Sequence, residues 1–72
     1  MRAEIELLSA VALVTDLPHA GLARGQVGTV VERLAPDVFE VEFCDDEGRT
    51  YAQLPLTAEQ LMVLYYRPQQ AA

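Results

Sequence analysis

Cys44-Asp45-Asp46-Glu47 sets the only thiol of the chain against three consecutive carboxylates. Two chemistries suit such a group: cation ligation by oxygen, or nucleophilic attack by sulfur. Calcium takes several oxygens, but from ligands spaced along a loop and closed by a glutamate rather than from three adjacent acids. A nucleophilic thiolate needs a neighbouring cation or base, whereas the residues that follow Cys44 are carboxylates. Arg49 is the one favourable neighbour, and the only histidine, His19, stands in a separate segment. His19 itself has no Ser, Cys or acid placed by the pattern to complete a general base. Gly25 and Gly28 lack the lysine of a phosphate loop and open a strand rather than a helix. These residues lead to an expectation of no catalytic group, no cofactor, no metal and no enzyme activity, with 45–47 an exposed acidic turn.

Composition narrows the class further. The 72 residues allow one small domain, and a 51% hydrophobic content separates the chain from disordered sequences. Eleven acids face five arginines, giving a formal charge of −6. Such a chain repels phosphate, so a basic protein is the expected partner and direct nucleic-acid binding is not expected. One cysteine makes no internal disulfide, and one histidine builds no His/Cys metal site. Glu4 and Glu6 interrupt any signal-peptide pattern at the start, and the apolar stretch that follows is too short to span a bilayer. A soluble, cytoplasmic protein without membrane contact is expected.

Turn signals divide the chain into short elements. "AVALV" at 10–14 reads as a strand, followed by a long loop through Pro18, Gly21 and Gly25. "QVGTVVERL" at 26–34 is a second strand, with Gly28 signalling a bulge or tight bend. After a turn at 35–37, residues 38–43 alternate cleanly: Phe39, Val41 and Phe43 on one face, Val38, Glu40 and Glu42 on the other. The strand at 50–54 pairs with it through a four-residue loop at 45–48. That register sets Cys44 opposite Arg49, Phe43 opposite Thr50, Val41 opposite Ala52 and Phe39 opposite Leu54. On the outer face Glu42 then meets Tyr51 and Glu40 meets Gln53. Thr57 and Gln60 form a capping box around one helical turn. "LMVLYY" at 61–66 is a last strand, apolar on both faces, to be covered by Ile5, Leu7 and Leu8 or by a partner chain. The expected fold is all-β: a small five-stranded SH3-like barrel at 1–66, closed by its first and last strands, with a frayed tail at 67–72.

Asp16-Leu17-Pro18, Gly21-Leu22, Gly25, Gly28-Thr29-Val30-Val31-Glu32, Val41-Glu42-Phe43, Gly48, Thr50 and Ala52 together make a pattern. With it the chain resembles a small bacterial family of SH3-like proteins of unknown function, over nearly its whole length. The resemblance implies a barrel with no catalytic residues. It also implies an antitoxin or immunity-like role, because such proteins are often encoded beside a small RNase-toxin-like neighbour. "GQVGTVV" is similar as well to a motif of RNA-binding ribosomal and transcription-factor barrels, but those are basic where this chain carries Glu32, Glu40 and Glu42.

The partner-binding candidates are Glu40, Glu42, Asp45, Asp46, Glu47, Arg49, Tyr51 and Gln53. They gather on the expected outer face and the adjoining loop. Either this is a solvated sheet surface, or it docks a basic partner with Tyr51 as anchor and the acids steering encounter. The first functional expectation is a non-enzymatic interaction module neutralising a basic partner encoded nearby. A small subunit or adaptor of a larger complex is the alternative, and self-association through the last strand is a further expected contact.

Overall fold

Alternating apolar residues and closely spaced turns leave this chain little choice but short strands, and the computed structural model, which describes residues 4–69, contains five. They are β1 (Ala10–Leu13), β2 (Val27–Ala35), β3 (Val38–Cys44), β4 (Thr50–Thr57) and β5 (Leu61–Val63). All lie antiparallel in one sheet in the order β4-β3-β2-β1-β5. The chain is thus all-β, its only helical pieces among the described residues being 3-10 turns at Pro18–Ala20 and Ala58–Gln60. β5 returns to β1, the connectivity expected of the small barrel. Among the described residues no helix is long and apolar enough to cross a membrane.

The core is purely apolar. Val11, Leu13, Val30, Val41 and Phe43 are almost wholly shielded, and among the described residues no buried side chain is polar or charged. Each such side chain stabilises the fold by about 1.5–3 kcal/mol relative to exposure. Gly28, opposite Val11 in β1, makes room for two of them. A Cβ there would lie 2.7 Å from Val41 Cγ1, 2.9 Å from the Glu42 carbonyl oxygen and 3.0 Å from Phe43 Cδ2. Its role is therefore close approach rather than the expected bulge. The irregularities of β2 come later, between Val30 and Glu32 and between Arg33 and Ala35.

The long loop after β1 is ordered by its own side chains. Asp16 Oδ1 accepts the Arg24 amide at 2.8 Å, and Leu17 bridges to Leu22, which is buried. Pro18 opens the 3-10 turn, and Gly21 ends it at φ 69°, a left-handed conformation that suits glycine. At the second 3-10 turn, Gln60 Oε1 accepts the Thr57 amide at 2.9 Å, the reaching-back half of the expected capping box.

Three expectations need correction. β4 runs on to Thr57, well past 54, because Leu54 and Leu56 continue the core-facing alternation. β5 stops at Val63 rather than 66, and Tyr65 and Tyr66 are exposed. Ile5 packs against the core, but Leu7 and Leu8 stay largely in solvent and do not cover the last strand. Of the expected tail, residues 70–72 lie outside the described residues, as do 1–3 at the start of the expected domain.

Gly28→Ala tests the close approach. It forces a methyl against the Glu42 carbonyl, which no rotamer change can move, and the expected loss is about 1–3 kcal/mol. Urea unfolding followed by circular dichroism measures it; an unchanged midpoint would mean that β2 and β3 can separate freely here.

Candidate interaction face

The hairpin between β3 and β4 is tighter than the sequence suggests. The Asp45 amide donates to the Arg49 carbonyl, and the Gly48 amide to the Asp45 carbonyl, both at 2.9 Å. The loop is therefore three residues, 46–48, with Gly48 left-handed at φ 83°. One further residue is inserted in β4: Cys44 pairs with Thr50, but Phe43 pairs with Ala52, leaving Tyr51 as a bulge. The two one-residue shifts add, so Val41 meets Leu54, Phe39 meets Leu56, Glu42 meets Gln53 and Glu40 meets Pro55. Beyond the bulge, a displacement of two keeps the side chains of β3 and of 52–54 on their expected faces, although every expected partner changes; Thr50 and Tyr51, at the bulge itself, exchange faces.

Arg49 does not face Cys44. Its guanidinium folds back on the loop, with Nε 3.3 Å from Asp45 Oδ2 and Nη2 paired with Glu47. Asp45 also accepts the Glu47 and Arg49 amides through Oδ1, both at 2.9 Å. The Arg49 amide, foremost among these donors, holds the Asp45 carboxyl below its ordinary range. Asp45 and Arg49 thus build the turn, and of the acidic tip only Asp46 and Glu47 project outward. Cys44 is exposed, with Sγ 3.6 Å from Thr50 Oγ1.

Tyr51 also moves. Its ring centroid lies 6.3 Å from that of Phe43, a core side chain, and its hydroxyl accepts from Gln26 Nε2 at 3.2 Å. The bulge turns Tyr51 to the Phe43 side of the sheet, away from Glu40 and Glu42. The expected aromatic anchor is therefore absent from the acidic face. His19 is exposed beside an open groove of about 280 Å³ lined mainly by Leu17, Pro18, Leu54, Pro55 and Leu56.

The outer face carries the other carboxylates. Gln53 donates to Glu40 at 3.2 Å, and Thr50 Oγ1 to Glu42 at 2.5 Å. Glu32 in β2 stands directly opposite Glu40, a juxtaposition created by the irregularity at Val31. Arg33, the nearest cation in sequence, is occupied elsewhere: it lies 5.5 Å over the Phe39 ring and donates to the Pro36 carbonyl at 2.8 Å. Among the described residues Arg49 alone forms ion pairs, both within the hairpin loop. Glu32 and Thr50 are site residues that strand alternation alone did not select; only the bulges bring them to the face. No three His, Cys, Asp or Glu side chains among the described residues converge as a metal cluster would require.

A family model described as a domain of unknown function, DUF4926, matches residues 7–63. No curated protein and no solved structure matches the chain.

Because the folded-state pKa of Asp45 is lowered, its contribution to stability is complete above the unfolded value of about 3.9 and fades as pH falls through the folded value. Asp45→Asn removes that dependence. Comparison of urea midpoints is expected to show the variant less stable near neutrality, with the gap closing in acid. A gap that stays constant with pH would mean that the charge of Asp45 does not hold the turn.

Proposed function

The chain belongs to the DUF4926 family, and we propose that it is a non-enzymatic interaction module that docks a basic protein on the outer face of β2, β3 and β4. The observation that carries this reading is the Glu32–Glu40 pair, with Glu42 on the same face and no ion pair to any of the three among the described residues. Like charges directly opposite across a sheet oppose folding, and a partner's lysines or arginines relieve that cost. The net charge of −6 adds long-range steering toward a cationic surface and repels nucleic acid.

In the specific form that the family resemblance suggests, the partner is an RNase-type toxin encoded nearby. The carboxylates then stand where RNA phosphates would, on the basic groups that a nuclease uses. A cytoplasmic, bacterial setting accompanies that form. An adaptor role within a larger complex uses the same face and differs only in the partner's activity. Self-association through β5 has only a three-residue edge to work with.

Purification of the full chain with the product of its adjacent gene tests the reading. A complex is expected at low ionic strength, weakening as salt shortens the screening length to about 10 Å at 0.1 M. The double variant Glu40→Gln, Glu42→Gln is expected to weaken it by about tenfold, or 1.4 kcal/mol. Absence of a complex at low salt removes the proposal. A partner that stops growth when expressed alone favours the antitoxin form, and an inert partner favours the adaptor.

A further inference from the structure

The acidic face continues into an apolar one. Ala12 in β1 pairs with Val27 in β2 on one side and with Met62 in β5 on the other. Three apolar residues therefore lie in a single row across three strands. Val11 and Leu13, which flank Ala12, point into the core and are at most 1% exposed, so alternation sets this row on the opposite, outer face. Ala12 is only 6% exposed, whereas Val27 and Met62 are 49% and 52% exposed. A short methyl thus floors a saddle between two larger side chains.

The next row of the same face runs Ala10, Thr29, Glu42, Gln53. Val27 and Glu42 are diagonal neighbours across β2 and β3, about 7–8 Å apart and within reach of one long side chain. Glu40 and Glu32 follow one step further along. An apolar seat bordered by charge is the layout of a docking surface, with a dry centre and a polar rim.

We propose that Val27, Ala12 and Met62 form the apolar seat of this face, and that its occupant is a protein segment bearing an apolar side chain beside arginine or lysine. The inference rests on the reading of the acidic face as a docking site and names what that site selects. A purely cationic ligand satisfies the carboxylates but leaves the saddle wet. A purely apolar one lies against Glu42 and strips water from it without compensation. A second copy of this chain brings its own six excess negative charges to the same place. Only a segment that is both basic and apolar matches both rows. Its cation stands about one helical turn from its anchor, because residues at i and i+4 on a helix are separated by about 5–6 Å.

Two synthetic peptides of equal length and charge decide the matter when titrated into the labelled full chain at low salt. One is an amphipathic helix alternating leucine and arginine along one face; the other replaces its leucines with serine. The leucine peptide is expected to bind about tenfold or more tightly, the worth of burying roughly two methylene groups. Amide shifts should centre on Val27, Met62 and Glu42. Met62→Gln and Val27→Thr, both at exposed positions, should each erase most of that advantage while leaving the serine peptide's affinity unchanged. Their unfolding curves verify that the fold is kept. Equal affinity for the two peptides, or shifts that avoid β1, β2 and β5, would overturn the apolar seat and leave the acidic reading standing. Binding of neither peptide at low salt overturns both.

Discussion

The close approach of β2 to β3 at Gly28 is the constraint on which the rest of the molecule depends. A chain this small buries only about 60% of its unfolded surface, so a single gap at the centre is a large fraction of its stability. Val41 and Phe43 fill that centre because the residue facing them has no side chain. With the core committed wholly to apolar packing, no charged side chain among the described residues is buried, and Glu32, Glu40 and Glu42 lie together on the outer face. The acidic surface is thus a by-product of how the core is closed as well as a candidate for recognition.

The order of strands, the purely apolar inner row of β3 and the turn before it were all legible in the sequence. Alternation and turn residues report local geometry directly. Partner assignments across the β3–β4 hairpin were not, because they depend on where an extra residue is accommodated. Nothing in "RTYAQL" marks Tyr51 as the inserted residue rather than a regular strand position. Its displacement removed the expected aromatic anchor from the acidic face, and the irregularity at Val31 brought Glu32 opposite Glu40. Glu40 and Glu42 thus lie on the outer face as expected and Tyr51 does not, because the charges sit on regular strand and the aromatic on a bulge. In sequence Gly28 reads as a bulge or bend, since a missing side chain looks the same there whether it frees the backbone or admits a neighbour.

The residues that carry the resemblance also gain physical meanings. Asp16 accepts the Arg24 amide across the long loop, Leu17 and Leu22 pin that loop to the core, and Gly21 and Gly48 occupy left-handed positions. These are devices for holding a small barrel together. Such devices shape the fold and name no activity. The proposed docking face draws instead on residues outside that pattern, Glu40, Val27 and Met62, together with Glu42 from within it.

Both margins of the sheet are blunted. β5 offers three residues, and β4 carries Pro55 midway, with no amide hydrogen to donate, beside the loop that holds Pro18 and His19. A newcomer therefore gains little by extending the sheet with a strand of its own. What it meets instead is a mosaic of side chains, and such a surface is rewritten one codon at a time. Backbone pairing tolerates almost any sequence, whereas a saddle and three carboxylates discriminate. Under the proposed docking role, a scaffold built this way keeps its architecture across a lineage while its choice of companion drifts by single substitutions.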